Sequence, residues 1–290
     1  MPTHAFRIVN VFAETTFGGN PLAVFEDARG IDDTTMQALA LQFNLSETTF
    51  ILPSERATAH VRIFTPAFEM PFAGHPTLGT AHVVRALMDA GERVTLEMIA
   101  GVIPVEARGD TWTLQANPPK TRAVAASRAE LAAMLVLAEA DVAPDPAAPP
   151  LWVDTGSEQL LIPLASADAV RRVAPRTDLL LAHGHTGQRA MAYVFAPEAR
   201  GSAPSGEASM VVRFFFPKHG AVVEDPGTGS ACANLGGWLI ATGAPLPQRY
   251  AVAQGDAVGR PCRLGLEVTA DRRIRVSGRV VELARGTVTL

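Results

Sequence analysis

Runs rich in β-branched and aromatic residues, each closed by turn formers, dominate the first third of this chain. FRIVNVFA (from Phe6), LAVFE, TTFILP and AHVRIFTP all have this character and predict strands. Between the second and third lies Asp32 to Phe43, with Met36, Leu39, Ala40 and Phe43 at i, i+3, i+4 and i+7. That spacing makes one apolar helical face, opened by an Asp-Asp-Thr capping signal. Thr77 to Ala90 predicts a second helix, closed by Gly91. VTLEM, VIPVEAR and WTLQAN then read as a meander ending at Asn117-Pro118-Pro119. In the second half, Ser127 and Glu130 fit a capping box before LAAMLVLA, and DVAPDPAAPP follows as a stiff connector. LWVDTG, QLLIPL, AMAYVFAP and MVVRFFFP predict strands, APEARGSAPSGEAS a mobile loop, and Gly229 to Ala241 a helix. YAVAQG, CRLGLEV, RIRVSGRVVEL and GTVTL complete the strands. The pattern is α+β and mostly antiparallel, unlike the regular βαβα of a parallel sheet.

One phrase recurs. VRIFTP leads to PTLGTA in the first half, and VRFFFP leads to PGTGSA in the second. The offset is 151 residues between Arg62 and Arg213 and 150 between Gly79 and Gly229. Each copy reads strand, loop, turn, helix start. The repeat predicts two similar domains, 1–118 and 119–290, with the last strand able to cross back to the first. Each half aims a helix N-terminus outward, which suggests an enzyme cleft at a pseudo-symmetric interface.

Composition narrows the function classes. Of 290 residues, 48% are hydrophobic and 19% charged, enough for a large core and too apolar for wholesale disorder. A net charge of −4 with no basic run gives no footprint for nucleic acid. No apolar stretch approaches the ~20 residues of a membrane helix. The N-terminal MPTHAFRIVNVF has none of the layers of a signal peptide. Two cysteines, Cys232 and Cys262, form no disulfide framework, so a reducing cytoplasm is the expected compartment.

Candidate chemistry sits at the repeated turns. In Gly74-His75-Pro76-Thr77-Leu78-Gly79, a proline-led helix start offers unpaired N–H groups and a partial positive charge, suited to a carboxylate. His75 at that mouth can donate or accept near neutral pH, or simply cap the turn. In Glu224-Asp225-Pro226-Gly227-Thr228-Gly229-Ser230, the repeat sets Asp225 opposite His75. The N–H groups from Gly227 to Ser230, with the Thr228 and Ser230 hydroxyls, could form a second anion cradle. The plainer alternative for Asp225 is an N-cap. Glu47 lies on a helix-to-strand junction, where burial would make it a proton carrier. Spacing alone does not separate it from Glu69, Glu224 or a solvated glutamate. Dinucleotide, phosphate-loop and nucleophile-elbow motifs are absent from the sequence. His183 and His185 lack metal-site partners, and Cys232 reads as structural.

Together these motifs resemble the PhzF family of phenazine biosynthesis. The matching residues are Val11-Phe12-Ala13 with Phe17 to Val24, Leu45 to Phe50, Arg62 to Pro66 with Glu69 to Gly79, Glu224 to Ala231, and Gln254 to Pro261. The resemblance implies a diaminopimelate-epimerase-like fold, two domains each wrapping strands around a central helix. It further implies a cytoplasmic homodimer with no metal and no organic cofactor, acting on a small carboxylate-bearing metabolite such as a cyclic dienol. By the same resemblance Glu47 shuttles a proton between carbons, while His75 and Asp225 orient the substrate and tune the transfer. Gly74, Gly227, Thr228, Gly229 and Ser230 would contact its carboxylate. Gly227 stands where the family has alanine, and Cys262 where it has serine. No cysteine occupies either turn, which disfavours a two-thiol racemase. The expected function is a cofactor-independent isomerase; the alternatives are an epimerase or racemase of an amino-acid-like substrate, and a non-catalytic small-molecule binder.

Overall fold

The computed structural model describes residues 1–143, 145–187, 189–198 and 208–290. It divides into two compact units, Met1–Gln115 with Ser277–Leu290, and Ala116–Val276. The first unit contains β1 (Thr3–Val11), β2 (Asn20–Phe25), α1 (Asp33–Phe43), β3 (Glu47–Leu52), β4 (Ala59–Phe64), β5 (Glu69–Met70), α2 (Gly74–Met88), β6 (Arg93–Met98), β7 (Gly101–Arg108) and β8 (Thr111–Gln115). The second contains β9 (Lys120–Ala123), α3 (Arg128–Leu135), β10 (Leu151–Asp154), β11 (Glu158–Pro163), α4 (Ala167–Arg172), α5 (Thr177–His183), β12 (Ala192–Pro197), β13 (Ala208–Lys218), β14 (Ala221–Asp225), α6 (Gly229–Ala241), β15 (Gln248–Gln254) and β16 (Cys262–Val268). The last strand, β17 (Ile274–Thr289), begins in the second unit, and its remainder pairs antiparallel with β1 of the first. Most of the expected loop 196–209 lies outside the described residues, as does Pro144 of the connector.

The sequence repeat is a repeat of topology. In the first unit β2 runs parallel to β3, β3 pairs antiparallel with β4, β4 antiparallel with β5 and parallel with β6, and β6 antiparallel with β7. In the second, β11 runs parallel to β12, β12 pairs antiparallel with β13, β13 antiparallel with β14 and parallel with β15, and β15 antiparallel with β16. The recurring arginines anchor equivalent strands. Arg62 donates through Nε and Nη2 to the two oxygens of Glu69, at 2.8 and 2.7 Å, a guanidinium fork matched to a carboxylate. Arg213 donates through Nε and Nη2 to Glu224 Oε2 alone, at 3.1 and 2.6 Å. Each arginine also ties down a helix from the β2–β3 or β11–β12 connection. Arg62 reaches Asp33 on α1, and Arg213 reaches the carbonyls of Val170, Arg171 and Val173 at the end of α4.

A central helix organises each unit. Ten residues of α2, from Gly74 to Val84, are buried, and it packs against β1, β2, β3, β6 and β8. A helix enclosed on all sides needs apolar or small residues around its circumference. At Gly79 a Cβ would come within 2.7 Å of Leu22 Cδ2 and 2.9 Å of Val11 Cγ2, so any side chain there would force these neighbours to shift. In the second unit α6 packs against β9, β10, β11 and β16, with Ala231 to Leu239 all buried. A separate apolar cluster seats α1 through Met36, Leu39 and Ala40 on Phe25, Phe50 and Phe64. The central helix of the first unit differs from the expectation at both ends. It starts at Gly74 and stops at Met88, where Asp89 takes the left-handed conformation (φ 48°) and its N–H bonds the Arg85 carbonyl, so Gly91 is not the stop.

Candidate active site

In the first unit, the elements deliver Glu47 and His75 to one another. α1 ends at Asn44, whose left-handed φ of 50° turns the chain, and Glu47 opens β3 opposite Leu22 of β2. His75 is the second residue of α2, which has Ala73 as its N-cap and no side-chain cap, so His75 is not a capping residue. A buried hydrogen bond between the Thr49 and Thr80 hydroxyls, at 2.8 Å, ties β3 to α2. The outcome is His75 Nε2 at 3.5 Å from Glu47 Oε2, with side chains only 7% and 15% exposed. Burial pushes the His75 pKa down to about 3, opposed by a backbone hydrogen bond to Pro21. Proline has no N–H, so that bond is donated by the ring to the Pro21 carbonyl. Nε2 makes no hydrogen bond, so Nδ1 is the donor. The imidazole is therefore neutral, with the Nε2 lone pair facing the Glu47 carboxyl. Here the Phe17-Gly18-Gly19-Asn20-Pro21 stretch acquires a role: it presents the carbonyl that sets the tautomer.

The glutamates that spacing could not separate now differ. Glu69 and Glu224 are the equivalent, arginine-paired partners of the two halves. Glu47 faces the His75 imidazole instead. Counting from the shared strand register, in which Phe50 faces Arg62 and Val194 faces Arg213, the second-unit counterpart of Glu47 is Met191.

In the second unit, Asp225 ends β14, three residues before Thr228, the N-cap of α6. It is thus neither an N-cap nor placed like His75, which lies inside its helix. Its carboxylate accepts a short hydrogen bond from the Thr228 hydroxyl. Gln254 clamps this turn. Its Oε1 accepts from the Thr228 N–H at 3.1 Å, and its Nε2 donates to the Asp225 carbonyl at 2.9 Å and to Thr228 Oγ1 at 3.0 Å. The fixed backbone donor orients the amide, so Thr228 Oγ1 accepts from Gln254 and spends its own proton on Asp225. The Thr228 N–H and hydroxyl thus both bond within the protein and shape the turn. Gly255 supports the clamp from below: its φ is +80°, and a Cβ there would collide with the Pro226 backbone. Gly227 and Gly229 are buried, and Ser230 is half-buried in the first turn of α6, where N–H groups have no acceptor within the helix. Gly74 occupies the corresponding first position of α2.

Burial pushes both thiols, Cys232 and Cys262, well above the usual range, so neither is a thiolate near neutrality. Gln254, Gln159 and Asn234 do not stand out as candidate chemistry in the sequence. The signal for the last two is polarity out of place: an amide in the strand EQLLIP and another in the helix ACANLGGWLI.

Comparison with known proteins follows this geometry. The sequence profile of a family described as phenazine biosynthesis-like protein matches residues 9–286. The chain belongs to this PhzF-like isomerase family. An uncharacterised isomerase of Pasteurella multocida is 40% identical over 98% of this chain and 93% of its own. A trans-2,3-dihydro-3-hydroxyanthranilate isomerase of Pseudomonas chlororaphis is 33% identical over 99% of this chain and 100% of its own. The crystal structure of a Bacillus anthracis PhzF-family phenazine biosynthesis protein superposes with a TM-score of 0.87 at 24% identity, covering 100% of both chains. The two-domain α+β fold expected for a PhzF-family protein is the fold observed. No helix among the described residues is long and apolar enough to cross a membrane.

Proposed function

We propose that this PhzF-family protein is a cofactor-independent isomerase that moves a proton between carbons of a small carboxylate-bearing metabolite. A cyclic dienol such as trans-2,3-dihydro-3-hydroxyanthranilate, the compound in the name of the Pseudomonas chlororaphis relative, is the substrate class of choice. The observation that carries the reading is the buried Glu47 carboxyl facing a neutral imidazole. Glu47 as carboxylate takes a proton from one carbon, and the C–H electron pair enters the conjugated system. The Glu47 acid then returns that proton to a second carbon and is regenerated as carboxylate. His75 Nε2 accepts a hydrogen bond from the protonated acid, and the neutral ring places no cation beside the base. In the second unit Asp225 is held by Thr228, and the α6 N-terminus with Ser230 suits a carboxylate, as the α2 N-terminus does in the first unit. General acid–base catalysis supplies about 10²–10⁴-fold, leaving positioning and charge stabilisation to provide the rest. We also propose a homodimer, for which light scattering would return twice the monomer mass.

The test is turnover of that dienol in heavy water, followed by NMR. A migrated double bond, with hydrogen or deuterium at the new carbon, supports isomerisation. Deuterium with inversion at one stereocentre would point to epimerisation, and ligand-stabilised melting without conversion to a binder.

A further inference from the structure

We propose that Gln159 and Asn234 are positioning residues that fix which way the Ser230 hydroxyl proton points, leaving it to be donated to an anionic ligand. This rests on reading the α6 N-terminus as the end that holds a carboxylate. The direction follows from a chain of amides with backbone groups at its origin. Asn234 Oδ1 accepts from the Thr155 N–H at 2.9 Å and from the Thr155 hydroxyl at 2.7 Å. Asn234 Nδ2 donates to the Ser157 carbonyl and to Gln159 Oε1, both at 2.8 Å. A backbone N–H can only donate and a carbonyl can only accept, so the Asn234 amide has one orientation. That orientation forces Gln159 to present Oε1 to Asn234, and hence Nε2 to Ser230 Oγ, 2.9 Å away. Ser230 is therefore an acceptor in this bond. Its own proton is committed to neither amide, and the hydroxyl sits half-buried at the helix end.

The relay is buried throughout: Asn234 is fully enclosed and Gln159 is 2% exposed. In such surroundings an amide flip would leave donors facing donors, so the polarity is locked. Gln254 does the same for Thr228, but there the hydroxyl proton ends on Asp225. The two amides thus sort two neighbouring hydroxyls, one inward to a protein carboxylate and one left for a ligand.

The experiment measures 3-hydroxyanthranilate binding by calorimetry to the full-length protein and to Gln159→Met, Gln159→Glu, Ser230→Ala and Gln159→Met/Ser230→Ala. Loss of the lock or of the hydroxyl is expected to weaken binding about 10-fold, the scale of one hydrogen bond to a charged acceptor. In the Ser230→Ala background, Gln159→Met should add less than about twofold, because the relay acts only through that hydroxyl. Gln159→Glu is nearly isosteric and still accepts from Asn234, so it serves if the Met variant does not fold; it draws the serine proton to itself and should weaken binding at least as much. Unchanged affinity in Gln159→Glu, or an undiminished Gln159→Met effect without the Ser230 hydroxyl, would overturn the relay while leaving the proposed activity standing. A wild-type protein that turns over the dienol but binds the probe independently of Ser230 would do the same. Failure of the wild type to bind or convert either compound would remove both.

Discussion

Glu47 and His75 differ in what their burial does. In the proposed reaction, enclosure of Glu47 beside a neutral ring is what suits it to exchange protons with a carbon. Glu47→Gln retains shape and hydrogen bonding but cannot carry the proton. Turnover of the dienol is expected to fall by at least about 10³-fold with ligand affinity nearly unchanged, which single-turnover kinetics and calorimetry would check. For His75, burial favours the neutral form, and its folded pKa of about 3 lies below the unfolded 6.5. The stability this contributes is present above pH 6.5 and is lost as pH falls toward 3. Between pH 7.0 and 5.5 the loss should be about 1 kcal/mol from this residue. Urea unfolding at the two pH values, compared with His75→Asn, would reveal it; a pH dependence identical in the variant would exclude His75 as the source.

At the level of elements, the central helices are held by what they lack. A methyl group at Gly79 would overlap Leu22 and Val11, so Gly79→Ala is expected to destabilise the fold by about 1–3 kcal/mol, read by urea titration. Most strands and the α1, α3 and α6 helices were legible because their periodicity and caps are local: Asp32 accepts from the Thr35 N–H, and Ser127 and Glu130 form the reciprocal box; the short β5, β9 and β14 were not. The helices α4 and α5 escaped notice. They have only 6 and 7 residues, too short for an apolar period to declare itself. The expected start of α2 at Thr77 is three residues late because the proline was set ahead of the helix, whereas Pro76 is its third residue, where a missing N–H is harmless. Gln254 and Gln159 were invisible as chemistry because an amide's role is set by partners 26 and 71 residues away.

At the scale of the whole molecule, duplication of the frame was readable from two arginines 151 residues apart, and the pairing pattern repeats strand for strand. The copies are not energetically alike. Glu224 is 6% exposed and Glu69 23%, and Arg213 also satisfies three helix carbonyls where Arg62 has an exposed aspartate. Removing the cation strands a more deeply buried carboxylate in the second unit. Arg213→Met is therefore expected to cost about 3–5 kcal/mol and Arg62→Met distinctly less. Equal losses in chemical denaturation would refute this ranking. What the repeat concealed was its asymmetry of chemistry, since the counterpart of Glu47 is a buried methionine.

The proposed reaction has a stereochemical corollary. If Glu47 is its proton carrier, the one carboxyl both lifts the hydrogen from the ring and sets it down. The migrating atom would then stay on one side of the ring plane, a suprafacial shift. Substrate labelled on a single prochiral face should hand its label to the same face of the product.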